Sequence, residues 1–230
     1  MLTTLGIVQP PVGGVQAGAS AGRKLGGKSL LEWVVRRVTD CQRLDRVIVV
    51  ASAVEDSRSI VELVPSDVSV FVGSRPDMLS SFVEALEAFP AESVVRVVAD
   101  NPYTDPVLID RLVKTADEHP DCDYISYCFR DGRPAILSAV GIFDEWCTAD
   151  ALRAADLKSA RPGDREAVTR YLYSHPEEFN VRLIPAPAEL ERDEVRLSVD
   201  CEEGWERAQA IYDALGAEAL DWRRVAGSRV

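Results

Sequence analysis

Gly13-Gly14-Val15-Gln16-Ala17-Gly18-Ala19-Ser20-Ala21-Gly22-Arg23-Lys24-Leu25-Gly26-Gly27-Lys28 lies between the apolar run Leu5–Gln9 and an amphipathic run over Ser29–Cys41. A glycine-rich loop between a strand and a helix is where α/β proteins hold phosphates. Small residues leave backbone N–H groups bare, and the start of the following helix carries partial positive charge. From Gly13 to Gly22 the loop has no Arg or Lys, so this stretch offers amides without positive charge. A plain surface turn would use the same glycines. The dinucleotide spacing G-x-G-x-x-G is absent. A G-x-x-x-x-G-K-[ST] pattern does occur at Gly22-Arg23-Lys24-Leu25-Gly26-Gly27-Lys28-Ser29. Such a loop leaves its strand directly, whereas a long Gly/Ala stretch intervenes here.

Outward from the loop, β-branched runs alternate with helical patterns. Leu5–Gln9 reads as a strand. Ser29–Cys41 reads as a helix with a Ser29/Glu32 capping box and Leu30, Leu31, Val34, Val35 and Val38 on its buried face. Strands follow at Arg46–Ser52, Val68–Val72, Ser93–Ala99 (interrupted by Arg96) and Asp123–Phe129. Helices are expected near Asp56–Leu63 and over Asp77–Phe89 and Asp105–Glu118. This order implies a largely parallel sheet with helices on both faces. Ala135–Phe143 reads as strand-like within an excursion over 130–150, and a helix begins at Thr148. Arg165–Ser174 and Cys201–Leu215 read as late helices with a strand at Arg196–Val199 before the second. The tail reads as a surface helix with a frayed end.

The 230 residues suit one globular domain. No apolar run approaches the roughly 20 residues of a membrane span. The N-terminus lacks a basic n-region, and the five cysteines are scattered without a C-x-x-C pair. A reduced, cytoplasmic setting without a zinc site is therefore expected. A net charge of −12 argues against a nucleic-acid surface. Residues 1–50 nevertheless carry seven basic against three acidic side chains, a locally positive lobe that suits an anionic ligand.

In open α/β sheets ligands sit beyond the carboxyl ends of the strands. Asp100 closes one apolar strand and Asp200 another, and strand order could bring them together. Two carboxylates with phosphate oxygens and water make a Mg²⁺ site. Each has a plainer explanation: Asp200 with Glu203 as a capping box, Asp100-Asn101-Pro102 as turn chemistry. Asp121-Cys122-Asp123 precedes its strand and reads as a solvated turn. His119 and His175 are isolated H-P pairs with no nucleophile in reach.

Several stretches together resemble the cytidylyltransferases that activate acidic sugars, of the spore-coat polysaccharide, acylneuraminate and 3-deoxy-manno-octulosonate type. They are Val8-Gln9 through Glu32, Ser74-Arg75-Pro76, Arg96–Pro106, Gly163–Thr169 and Arg196–Glu203, in order along nearly the whole chain. The resemblance implies a three-layer, Rossmann-like nucleotidyltransferase fold and a homodimer built through an arm at about 130–160. It implies attack by a sugar hydroxyl on the α-phosphate of CTP, with Mg²⁺ held by Asp100 and Asp200. Gly13, Gly14, Gln16, Ser20, Arg23, Lys28 and Arg75 would face the nucleotide, and Asp164 and Arg165 the sugar. The chain departs from the pattern where the loop's three cations belong: Pro11, Gln16 and Ser20 stand there. Ser81 replaces a further basic residue, Ala167 a histidine, and Ala139 and Gly141 an acidic pair. Each charge-assisted hydrogen bond to the triphosphate lost in this way is worth about 1.5–3 kcal/mol. The expected enzyme is accordingly a weakened one, and its alternative a binding protein without turnover.

Overall fold

The computed structural model describes residues 1–11, 20–53, 57–191, 195–217 and 220–228. Nine strands are described: β1 (Leu2–Gln9), β2 (Lys24–Leu25), β3 (Lys28–Ser29), β4 (Arg46–Ala51), β5 (Ser69–Val72), β6 (Ala91–Val98), β7 (Tyr124–Cys128), β8 (Glu145–Thr148) and β9 (Val181–Pro185). Seven form one sheet in the order β5-β4-β1-β6-β8-β7-β9. Pairing is parallel except where β8 runs antiparallel to both β6 and β7. The chain winds outward from β1 through β4 to β5, then returns to pair β6 on the other side of β1. The gap between β1 and β6 at their carboxyl ends is therefore the switch point, where crossovers leave to opposite sides.

Side-chain alternation along the strands sorts the core into two layers. Val8, Val49, Val95 and Val97 pack with the helices Leu30–Thr39, Pro106–Glu118 and Glu202–Leu215 on one face. Leu5, Ile7, Ile48, Val50 and Val94 pack with Met78–Ala88 and Ala149–Lys158 on the other. Caps set the helix starts. Ser29 accepts from the Glu32 N–H, Asp77 from Ser80, Thr148 from Ala151, and Asp105 from Val107 at 2.9 Å ahead of Pro106.

Three expectations are corrected. Ala135–Phe143 is not extended: Pro134 opens a 3₁₀ turn over Ala135–Leu137, and Gly141 takes φ 62°, which bends the chain before β8. The helix expected over Arg165–Ser174 is two short ones, Pro162–Glu166 and Arg170–Ser174. Between them Val168 holds φ 55° with its side chain fully buried, so packing outweighs its backbone preference. Arg196–Val199 joins no sheet; it bridges segments instead, with Leu197 N–H on Val140 O (3.1 Å) and Val199 N–H on Asp100 O (2.9 Å). The surface helix expected in the tail forms over Trp222–Gly227, with Arg223 and Arg224 exposed, Trp222, Val225 and Ala226 buried, and Trp222 N–H on the Asp105 carboxylate at 2.8 Å. Of the span 130–160, β8 and the helix Ala149–Lys158 belong to the sheet and its flank.

Candidate functional site

The stretch after β6 builds the floor. Asn101 N–H returns to Val98 O, turning the chain so that Asp100 stands at the carboxyl end of the strand. Tyr103, fully buried, donates to Ala208 O of the helix Glu202–Leu215, and Trp33 donates to Pro102 O. This ties the turn to both neighbouring helices. Asp200 arrives from about a hundred residues away on the segment Leu197–Asp200, which is threaded between two glycines. A Cβ on Gly141 would sit 2.4 Å from Ser198 N, and one on Gly204 2.3 Å from Ser198 O. No larger residue fits at either position, and this close passage lets Val199 bond to Asp100. The helix that follows is capped at Cys201 without a side-chain bond, so Asp200 is not a capping residue. Its carboxylate instead accepts from Arg196 Nη2 at 3.0 and 3.2 Å.

Asp100 and Asp200 both line a cavity of about 470 Å³ with Arg96, Glu145, Ala139, Gly141, Ala167 and Ser198. Burial raises the Asp100 carboxyl above its ordinary value; the charge of Arg96 opposes this and that of Asp200 adds to it. Desolvation would raise Asp200 as well, but the hydrogen bond and charge of Arg196 outweigh it and hold the group low. Asp100 is thus a desolvated carboxyl beside a like charge, an arrangement that a cation between the two would relieve. Among the described residues no cluster of three or more His, Cys, Asp or Glu could hold a metal unaided. The pair fits a divalent ion that brings phosphate oxygens and water as its remaining ligands.

Part of the cavity wall is a buried network that sequence reasoning missed. Arg96 Nη1 donates to Glu145 at 2.6 Å and Nε to Gln9 at 2.9 Å. Glu145 also accepts from Tyr124 (2.6 Å) and Thr169 (2.8 Å). The signal for Arg96 was present as a charge inside an apolar strand. Nothing marked its partner, because β8 itself was not recognised.

Beside this cavity, and sharing Asp200 with it, lies a second of about 340 Å³ lined by Ser20, Arg23, Leu30, Val199, Cys201, Glu202 and Trp205. Ser20 and Arg23 are therefore brought to the site. Arg23 pairs with both oxygens of Glu202 (2.6 and 2.7 Å) and lies 4.2 Å from the centroid of the Trp205 ring. Gly13, Gly14 and Gln16 lie outside the described residues. Lys28 is exposed on the β2–β3 hairpin, 6.0 Å from the Trp33 ring centroid, and lines neither cavity.

Arg75, Asp164 and Arg165 do not line either cavity. Arg165 reaches Asp156 (2.5 Å), Ser80 (2.6 Å) and Asp77 (3.1 Å), and Arg75 contacts Ser80 (3.2 Å) and Glu84 (3.3 Å). Asp164 pairs with Arg170 at 3.3 Å. Arg165 thus joins the segment Pro162–Glu166 to the start of the helix Met78–Ala88, and Asp164 joins it to the helix Arg170–Ser174.

An open α/β sheet of this strand order, with paired carboxylates in the cleft at its switch point, has the architecture of a nucleotidyltransferase. The cytidylyltransferase family model matches residues 22–213, and the chain belongs to that family. It is 27% identical over 217 residues to the spore coat polysaccharide biosynthesis protein SpsF of Bacillus subtilis, covering 91% of this chain and 86% of that one. A cytidylyltransferase structure from Leptospira borgpetersenii superposes with TM-score 0.79 at 20% identity, over 98% of this chain and 92% of the other. CMP:2-keto-3-deoxy-manno-octonic acid synthetase complexed with CTP superposes with TM-score 0.67 at 13% identity, over 92% and 99%.

Proposed function

We propose that this chain transfers CMP from CTP to an acidic sugar in surface-polysaccharide or nonulosonate biosynthesis, as a cytoplasmic homodimer whose turnover is reduced by its uncharged loop. One observation carries the reading: Asp100 and Asp200, distant in sequence, share one cavity at the carboxyl end of β6 and are linked through Val199 N–H on Asp100 O at 2.9 Å. The choice of base and of sugar class rests on family membership and on the sequence resemblance.

In this reading the acceptor hydroxyl forms a bond to the α-phosphorus while the bond to the pyrophosphate oxygen breaks, and the hydroxyl proton passes to solvent. Asp100 and Asp200 would hold Mg²⁺, which offsets charge on the phosphates when bound. The larger cavity, about 470 Å³, is of a size to take one sugar. The Arg96–Glu145 network holds its floor rigid. Catalysis comes from positioning and electrostatics, with no protein nucleophile.

A second reading, a nucleotide- or sugar-binding protein without turnover, is favoured by the Arg196–Asp200 ion pair, which occupies a proposed metal ligand. Calorimetry with CTP and Mg²⁺, paired with pyrophosphate release over a panel of sugar acids, separates the two. Micromolar CTP binding that disappears in Asp100→Ala, with pyrophosphate released, supports the enzyme. Binding without release supports the second reading, and no nucleotide binding at millimolar concentration sinks the first.

A further inference from the structure

The loop has lost the cations its family pattern places around the triphosphate, yet a guanidinium stands at the same cleft by another route. Arg23 lies beyond the loop apex, on the approach to the β2–β3 hairpin. That hairpin is fixed in place: Gly26, at φ 59°, lies so close to Tyr212 that a Cβ would fall 2.3 Å from the phenol oxygen. Leu30 N–H closes on Arg23 O at 2.7 Å, which sets the backbone of Arg23 relative to the helix Leu30–Thr39. Its side chain then lies across Trp205, which is buried, and ends on Glu202 with both oxygens engaged. The arrangement opens onto the 340 Å³ cavity whose wall includes Asp200.

A bidentate carboxylate presents the guanidinium fork with nearly the same two-oxygen edge as a phosphate. The pair is solvent-exposed, with Arg23 at 36% and Glu202 at 67% side-chain exposure, so water and salt weaken it and little is lost on opening it. The indole beneath holds Arg23 in place whichever anion occupies its fork.

We propose that Arg23 is the cation this chain offers to an oligophosphate entering beside Asp200, that Trp205 positions it, and that Glu202 acts as a built-in competitor which the phosphate displaces. The proposal rests on the reading that an oligophosphate binds next to Asp200, and not on which base or sugar it carries. It adds a determinant of nucleotide affinity, Glu202, to the cleft, and it gives a reason for weak binding beyond the loop's missing charges.

The test is calorimetry on the full chain with Mg²⁺, using CTP and, separately, inorganic pyrophosphate as probes. Both Arg23 and Glu202 are surface side chains, so their variants fold, as a thermal melt checks. Glu202→Gln is expected to bind both probes about three- to five-fold more tightly, the equivalent of removing one exposed ion pair. Arg23→Gln is expected to bind both about ten-fold more weakly. In the double variant the gain from Glu202→Gln should vanish, because the competitor has nothing left to hold. A gain that persists without Arg23 would show only relief of general negative charge and would overturn the proposal, as would pyrophosphate affinity that ignores both substitutions. Arg23-dependent pyrophosphate binding with no preference for CTP would leave the proposal standing and count against the cytidylyl reading.

Discussion

At the scale of single residues, two buried acids show what the site's framework costs. Glu145 is buried in the cavity wall and satisfied by Arg96, Tyr124 and Thr169. Removing Arg96 strands that carboxylate, so Arg96→Met should lower unfolding stability by about 3–5 kcal/mol in urea titration. Adding Glu145→Gln should recover part of the loss, since the uncompensated charge is then gone. Asp144, next in sequence, is fully enclosed; burial pushes its carboxyl up to about 8, against the hydrogen bond from Thr104. A raised acid binds its proton in the fold and releases it in the unfolded chain. Its contribution to stability is complete below the unfolded value of 3.8 and is lost as pH rises from there to about 8. Asp144→Asn should flatten that part of the stability profile and raise stability at pH 8, as thermal melts across the range would register.

At the scale of elements, the β2–β3 hairpin separates conformation from packing. Gly26 and Gly27 both have positive φ, as a two-residue turn of this kind requires. A Cβ at Gly27 meets nothing within 4 Å, whereas one at Gly26 strikes the Tyr212 ring. Gly27→Ala should therefore cost only backbone strain, about 1 kcal/mol. Gly26→Ala should cost clearly more in chemical denaturation. It should also weaken pyrophosphate binding, because the hairpin that carries Arg23 can no longer rest on the helix Glu202–Leu215.

At the scale of the molecule, the cleft is closed by contacts far apart in sequence: Val199 on Asp100, Arg23 on Glu202, and Tyr103 on Ala208. A ligand that binds only the assembled cleft stabilises the whole fold by mass action, by about 2.7 kcal/mol at a hundred times its dissociation constant. CTP with Mg²⁺ should accordingly raise the melting temperature of the native chain. The shift should shrink in both Asp100→Asn and Asp200→Asn, although the two residues belong to different segments.

The sequence by itself determined the alternation of strands and helices, the helix starts at Ser29, Asp77, Asp105 and Thr148, and the two carboxylates at segment ends. These features are written in local periodicity and capping, which neighbouring residues decide among themselves. It was also enough to place the chain in its family. Only the tertiary structure decided that β8 inserts antiparallel between β6 and β7, and that Val168 takes a left-handed backbone. It alone decided that Arg196–Val199 bridges rather than pairs, that Arg75, Asp164 and Arg165 line neither cavity, and that Trp205 lies beneath Arg23. Those outcomes depend on which distant atoms come within a few ångströms, as Ser198 does between Gly141 and Gly204. A local pattern holds no record of such distances.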